Sequence, residues 1–236
     1  MNNIDQKNCF STYTLTILND CKRCFWIHYH RQIERPSRIS YPPLVGMVSK
    51  IKNHFDMYRG SLPEELKGKV NGVLLEDLSL INSWRNWAEG SLLYTDENLT
   101  VRIAGALDDC LIENGRHYPL SFDVKSSYPE NDPRREKYHQ VQMDIYAYLL
   151  ESHNYSTNGV GYLIYYIPEK IEDNGLVKFK IEIVKMSASA DNARALFKDA
   201  ISTLNGHIPK ASEHCEFCAY AKNFEAVLVG NGTVGK

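Results

Sequence analysis

No apolar run in this sequence is long enough to cross a membrane. The longest, Val160-Gly-Tyr-Leu-Ile-Tyr-Tyr-Ile167, stops far short of the roughly 20 residues that a spanning helix needs. The start, Met1-Asn-Asn-Ile-Asp-Gln-Lys7, has no basic segment followed by an apolar stretch, so no secretory leader is expected and a soluble, cytoplasmic protein is. Neither sign of charge dominates. Lys and Arg number 27 against 29 Asp and Glu, a net −2, which excludes a globally basic nucleic-acid coat but not a local basic face. Repeats and low-complexity tracts are absent. Hydrophobic residues at 43% and charged residues at 24% of 236 exclude wholesale disorder and suffice for one α/β domain with a sizeable core, with room for a small appended lobe.

Cysteine is not scarce, and without a leader a disulfide framework explains it poorly. Four of the six cysteines form two Cys-x-x-Cys pairs, Cys21-Lys-Arg-Cys24 and Cys215-Glu-Phe-Cys218; Cys9 and Cys110 stand alone. The spacing lets two thiolates point at one metal from a single tight turn. With 190 residues between Cys24 and Cys215, a shared centre would clip the two ends of the chain together. The alternative is two unrelated pairs of buried, inert thiols.

Hydrophobic periodicity predicts a polar start through about residue 10, a helix over Thr12–His30 that is less regular around the cysteine pair, and a loop over Arg35–Pro43. A second helix is expected over Leu44–Tyr58, while Asp77–Glu89, with Trp84 and Trp87, is ambiguous. Leu99–Ile112 reads as a strand, Glu113-Asn-Gly-Arg116 as a hairpin turn whose Asn-Gly pair suits positive φ, and Tyr118–Lys125 as the returning strand. A helix over Arg134–Ser152 follows, with Tyr138, Val141, Ile145, Tyr148 and Leu149 on its apolar face. Strands over Gly159–Ile167 and Leu176–Lys185 come next, then a last helix over Ala188–Asn205 and a loose tail from Val227. This order implies a mixed sheet flanked by helices.

Side chains alternate along a strand, so Asp123 and Lys125 share a face, and counting outward from the Asn-Gly turn brings Asp108 diagonally near Asp123. Two carboxylates and a lysine on one sheet edge suit a hard divalent ion such as Mg²⁺. The ion would polarise a phosphate oxygen and lower the pKa of water; the lysine would stabilise charge on phosphorus or help deprotonate the water. Asp109, facing the other way, is expected to be solvated or to support the site from behind. One helix later, Gln142 and Tyr146 are i and i+4 with His139 a turn earlier. That polar stripe could orient Lys125 or a DNA strand; His139 itself reads as a structural helix residue outside the metal set. A surface salt-bridge cluster is the plainer alternative for the acids and Lys125, and plain helix surface for Gln142 and Tyr146. Lys22, Arg23, Arg31, Arg35 and Arg38, interleaved with Trp26 and Tyr29, suit either a single-stranded nucleic-acid track or a solvated positive face.

The series Gly105-Ala-Leu-Asp108, Asp123-Val-Lys125 and Gln142-x-x-x-Tyr146 resembles the motifs of the PD-(D/E)XK nuclease superfamily. More narrowly it resembles the RecB-like branch with the CRISPR-associated exonucleases and AddB-type nucleases. That branch holds an iron–sulfur cluster with one N-terminal and three C-terminal cysteines, and the segments around Cys21-Lys-Arg-Cys24-Phe25 and Pro209-x5-Cys215-Glu-Phe-Cys218 are similar to its two cysteine segments. Two departures stand out. No third C-terminal cysteine follows Cys218, where Asn223-Phe224 lies, so Cys24 would complete a two-plus-two site. Four residues after Gly46, where the branch keeps a metal-binding histidine, stands Lys50, with His54 one turn further.

The resemblance implies a single nuclease domain over 1–236. Its restriction-endonuclease-like α/β core would span about 95–205, and a cysteine-ligated lobe would form from about 10–60 and 207–222. It implies a DNA nuclease, exonuclease-like on ends or single strands, in which Asp108, Asp123 and the Val124 carbonyl hold Mg²⁺ or Mn²⁺ and Lys125, Gln142 and Tyr146 complete the site. Cys21, Cys24, Cys215 and Cys218 would hold a [4Fe–4S] cluster, with zinc as runner-up. DNA is the implied partner, within a CRISPR adaptation or recombination complex. The alternative function is a weakly active or inactive nuclease-fold DNA-binding subunit of an assembly, favoured by the missing histidine; a zinc-stabilised interaction module is a third.

Overall fold

Tyr118, Leu120, Phe122 and Val124 alternate with Pro119, Ser121, Asp123 and Lys125, giving one strand an apolar face and a face that carries chemistry. The computed structural model describes residues 9–36, 42–86, 92–96, 101–125 and 134–229, and the side chains of all of these except 42–45 and 134–138. Expectations on the first eight residues, on 37–41, Trp87, Leu99, the Tyr138 side chain and the tail from 230 lie outside the described residues.

In chain order the elements are β1 (Cys9–Ser11), α1 (Thr12–Asp20), α2 (Lys22–Arg31), α3 (Pro42–Asp56), β2 (Val73–Leu74), α4 (Leu78–Arg85), β3 (Leu93–Asp96) and β4 (Val101–Ala104). They continue with β5 (Asp109–Glu113), β6 (Arg116–Val124), α5 (Arg134–Ser152), β7 (Val160–Ile171), β8 (Val177–Ser187), α6 (Ala190–Asn205) and α7 (Glu216–Leu228). The chain divides into two compact units: Met1–Thr12 with Ser40–Arg194, and Tyr13–Ile39 with Ala195–Lys236.

In the first unit a five-stranded mixed sheet runs β2-β5-β6-β7-β8, with β6 and β7 parallel and the other neighbours antiparallel. A three-stranded sheet, β1-β4-β3, accompanies it. The β5–β6 turn takes the expected form, with Asn114 and Gly115 at φ 50° and 73°. On the apolar face of β6, Ile51 and Phe55 of α3 join Leu120, Phe122, Val124 and Ile164 in one buried cluster, the Phe55 and Phe122 rings 4.6 Å apart. The opposite face of β6 meets α5, whose Ile145, Tyr146 and Leu149 press so closely on Gly105 that a Cβ there would lie 2.6 Å from Leu149 Cδ1. The α/β class with a mixed sheet flanked by helices is as expected.

Several elements depart from the sequence reading. The single strand expected over Leu99–Ile112 is two, β4 and β5, in different sheets and separated by residues 105–108. Asp108 therefore precedes β5 rather than lying within it. Pro42 and Pro43 open α3 instead of closing a loop, because a first-turn proline gives up no helical hydrogen bond and its φ is already helical. The ambiguous stretch holds α4, capped by the Asp77 carboxylate, which accepts from Leu80 N at 2.9 Å.

In the second unit α1 and α2 are separate helices around Cys21, whose N–H closes α1 on Ile17 O (2.8 Å) while its carbonyl opens α2 by accepting from Phe25 N (3.1 Å). Lys22 pairs with Asp199 at 2.6 Å, Trp26 Nε1 donates to Gly206 O and the Tyr29 hydroxyl to Thr14 Oγ1. Lys22, Trp26 and Tyr29 of the proposed basic and aromatic track are thus engaged within the protein. Helix α7, unexpected from sequence, starts directly after Cys215 and runs into the stretch read as a loose tail.

Candidate active site and cysteine centre

The C-terminal end of β6 presents Ser121, Asp123 and, just beyond it, Lys125 towards α5, while Asp108 enters from the segment before β5. Asp108 Oδ2 accepts from Ser121 Oγ at 2.9 Å and from Phe122 N at 3.3 Å; its Oδ1 lies 2.8 Å from Lys52 Nζ of α3. Asp123 Oδ2 meets Lys125 Nζ at 2.7 Å and His139 Nε2 at 3.1 Å. Burial works against the Asp123 carboxylate, but the bonds from His139 and Lys125 and their charges outweigh it and hold its pKa below the ordinary value. The two carboxylates are 15% and 22% exposed, so an ion and a substrate could reach them.

From α5, Gln142 Oε1 lies 3.0 Å from His139 Nδ1 and 3.2 Å from Ser121 Oγ, and Gln142 Nε2 donates to the Tyr146 hydroxyl at 2.6 Å. That hydroxyl donates in turn to the Ala106 carbonyl at 2.6 Å. Burial, with the charge of Asp108 adding to it, pushes the Tyr146 pKa well above the usual range, so it stays a donor. At 2% exposure Tyr146 cannot touch a DNA strand; it and Gln142 reach the acids through His139 and Ser121. The structure thus brings Asp108, Asp123, Lys125, Gln142 and Tyr146 into one network, adds Lys52, which the sequence did not single out, and joins His139 of the polar stripe directly to Asp123. Lys50, the residue at the family histidine's place, is exposed, and His54 Nε2 faces Glu65 Oε1 at 2.9 Å instead.

Of the two expectations for Asp109, solvation does not hold: the side chain is fully buried, in a position to support the site from behind. Arg59 binds it through both terminal nitrogens (2.8 and 2.5 Å), Arg85 Nη2 approaches to 3.1 Å, and both guanidiniums also meet Asp56, at 3.2 and 2.9 Å. Arg85 Nε further donates to the Asp108 carbonyl at 2.9 Å, tying this neutral quartet to the backbone of the candidate ligand.

For a divalent ion the donor set fits. Two carboxylates converge within one hydrogen-bonded patch, and each carries an ammonium where a cation's charge would serve the same purpose.

The second unit holds the other candidate centre. Cys21 and Cys215 occupy the N-cap positions of α2 and α7, and Cys24 and Cys218 lie one turn in. Both pairs therefore sit at helix N-termini, where exposed N–H groups and the helix dipole favour anionic sulfur. The sulfurs of Cys24 and Cys215, and of Cys24 and Cys218, are 3.5 Å apart, those of Cys21 and Cys218 3.9 Å, and all four lie within 4.8 Å of one another. Ser212 N points at Cys21 Sγ (3.5 Å) and Arg35 Nη2 at Cys215 Sγ (3.6 Å), with Arg35 also paired to Asp20 at 2.7 Å. Burial raises the Cys21 thiol, but the N–H groups of Ser212 and Cys24 and the neighbouring thiols outweigh it and bring it to about 7. Burial drives Cys24 up to about 11 despite Arg35, and burial and the crowding of its neighbours raise Cys218 as well. Four such sulfurs cannot all ionise without a cation between them. A tetrahedral ion bound at about 2.3 Å spaces its sulfurs about 3.8 Å apart, close to the three separations of 3.5, 3.5 and 3.9 Å. Cys9 and Cys110 lie outside this group.

Among the described residues no helix is long and apolar enough to cross a membrane. In comparisons with known proteins, the family model described as the PD-(D/E)XK nuclease superfamily matches residues 44–222. No curated protein matches the sequence. A solved chain described as "Crystal structure of SSO0001" is similar at 14% identity and a TM-score of 0.49, over 94% of this chain and 88% of that one.

Proposed function

The chain belongs to the PD-(D/E)XK nuclease superfamily, and from that premise we propose that it is a Mg²⁺- or Mn²⁺-dependent DNA nuclease, acting exonuclease-like on ends or single strands. The observation that carries the proposal is the meeting of Asp108, Asp123 and Lys125 at the end of β6. Asp108, Asp123 and the Val124 carbonyl would hold the ion. Bound there, it would neutralise the acids, polarise a phosphodiester oxygen and lower the pKa of a water. Lys125 stands 2.7 Å from Asp123, so its ammonium can orient the attacking water and stabilise negative charge on phosphorus. Lys52, held by Asp108, offers a second positive charge to the substrate backbone.

The two Cys-x-x-Cys turns take a single tetrahedral ion, zinc, in preference to the [4Fe–4S] cluster that the family resemblance implies. The sulfur separations support this, since a four-iron cube binds each thiolate to a different corner and spreads the sulfurs further. The domain reading stays that of one nuclease domain, core about 95–205, with a cysteine lobe from about 10–60 and 207–222. Membership of the RecB-like branch, a cytoplasmic location and work within a CRISPR adaptation or recombination complex belong to the same proposal.

A second reading is an inactive DNA-binding subunit. The ammonium groups on both carboxylates, and Lys50 at the place of the upstream histidine, favour it. One assay separates the two: nucleotide release from end-labelled single- and double-stranded DNA with Mg²⁺, Mn²⁺ or EDTA. Activity that needs the ion and falls at least about a hundredfold in Asp123→Asn and Lys125→Met supports the nuclease. DNA binding without cleavage under either ion supports the subunit. Cleavage by Lys125→Met at the wild-type rate removes the assigned site.

A further inference from the structure

We propose that His139 is a ligand of the catalytic ion through Nε2, and that Gln142 and Tyr146 hold it in the tautomer this requires. The inference rests on the nuclease reading and extends it to a side chain on α5.

The argument runs from a group whose role is fixed. A backbone carbonyl can only accept, so the Tyr146 hydroxyl, 2.6 Å from Ala106 O, spends its single proton there. It must then accept from Gln142, which turns the amide nitrogen towards Tyr146 and leaves Oε1 facing His139. Oε1 has no proton to give, so His139 Nδ1 carries the hydrogen of the 3.0 Å contact. One nitrogen remains. In the neutral ring Nε2 is a bare lone pair, aimed at the patch where Asp123 Oδ2 lies 3.1 Å away.

A divalent ion held between Nε2 and Asp123 Oδ2 would let both groups donate electron pairs to it. Octahedral ligands at about 2.0–2.1 Å lie about 3 Å apart when adjacent, close to the observed separation of Nε2 and Oδ2. A metal-binding histidine also ordinarily hands its other N–H to a fixed acceptor, which Gln142 supplies. Among the described residues no other histidine contacts Asp108 or Asp123, and His54 is committed to Glu65. The nitrogen donor missing at Lys50 is thus supplied from the other side of the site. Imidazole favours Mn²⁺ over Mg²⁺ more than an all-oxygen site does.

The test is pulsed electron paramagnetic resonance of Mn²⁺ bound to the full chain, with titrations of affinity. The wild-type protein is expected to show nitrogen coupling from a directly bound imidazole, altered when histidine is ¹⁵N-labelled. His139→Gln should lose the coupling and bind Mn²⁺ at least about tenfold more weakly, with a smaller change for Mg²⁺. Gln142→Ala should weaken Mn²⁺ while keeping some coupling. Mn²⁺ bound to the wild type without nitrogen coupling, or coupling undiminished in His139→Gln, overturns the assignment and leaves the nuclease reading standing. Failure of the wild type to bind Mn²⁺ at all overturns both.

Discussion

Replacing Asp109 by Ala is expected to destabilise the first unit severely and to disturb Asp108 without touching it. The carboxylate is fully buried and accepts four hydrogen bonds: two from Arg59, one from Arg85 and one from Cys110 N at 2.7 Å. Its removal leaves two guanidiniums, 9% and 11% exposed, sharing only Asp56. Deleting one partner of a buried pair costs about 3–5 kcal/mol, a large part of a total stability of about 5–15 kcal/mol. For a domain of this size each kcal/mol lowers Tm by about 2–4 °C, so a fall of about 6–20 °C is expected in thermal unfolding followed by circular dichroism. Because Arg85 Nε also fixes the Asp108 carbonyl, the variant that remains folded well below its Tm should show weaker Mn²⁺ binding. A double-mutant cycle with Arg59→Met should give a coupling of about 1–3 kcal/mol. A Tm for Asp109→Ala within 1 °C of wild type would refute the reasoning, since the quartet would then contribute nothing.

Four further outcomes are expected. Changing any one of Cys21, Cys24, Cys215 and Cys218 to Ser should lower bound metal and Tm together, whereas Cys9→Ser and Cys110→Ser keep the metal. The purified protein should be colourless and contain about one zinc; a brown protein that bleaches in air would instead mark an iron–sulfur cluster. Gly105→Val should cost about 1–3 kcal/mol by overpacking, because even a Cβ would crowd Leu149 and approach Ile145 and Tyr146; an unchanged denaturation midpoint would show that α5 does not pack this closely. Burial holds the His117 pKa below its ordinary 6.5, with only partial opposition from the Ser156 backbone contact. A base depressed on folding binds fewer protons folded than unfolded just below pH 6.5. Its stabilising contribution is therefore full above 6.5 and lost as pH falls through that window. Tm should drop between pH 7 and 5, and drop less in His117→Phe; equal slopes would remove His117 as the cause.

The segment from β5 to β8 was legible because its signals are local. Asn114-Gly115 dictates a hairpin, and α5, buried on every side from Met143 to Leu150, carries an apolar stretch long enough to read. Strands β1, β2 and β3, of three, two and four residues, were not. Their pairing is set by partners far along the chain, as Phe10 with Ile103, and so leaves little pattern of its own. Helix α7 escaped for a different reason: it buries no residue, so no stripe of burial shapes its composition. At the site, Asp108, Asp123 and Lys125 could be read from residue type and spacing. Lys52 and the partnership of His139 with Asp123 could not, because they depend on how α3 and α5 lie against β6. Asp109 shows the limit most clearly. Residue type and spacing could not tell solvent from interior there; only tertiary structure places two arginines around it.

The sulfur nest also imposes an order on the life of the chain. Cys24 and Cys218 are 194 residues apart. At a synthesis rate of about 5–20 residues per second, the first pair is exposed for about 10–40 s before the second exists. The nest therefore cannot close until Cys218 has followed Cys24 out of the ribosome, 194 residues later. Until then Cys21 and Cys24 are open thiols, vulnerable to oxidation and to capture by the wrong metal. A chain truncated before Cys215 would carry every residue of the nuclease network yet keep its first two cysteines without partners, a recognisable mark of an unfinished molecule.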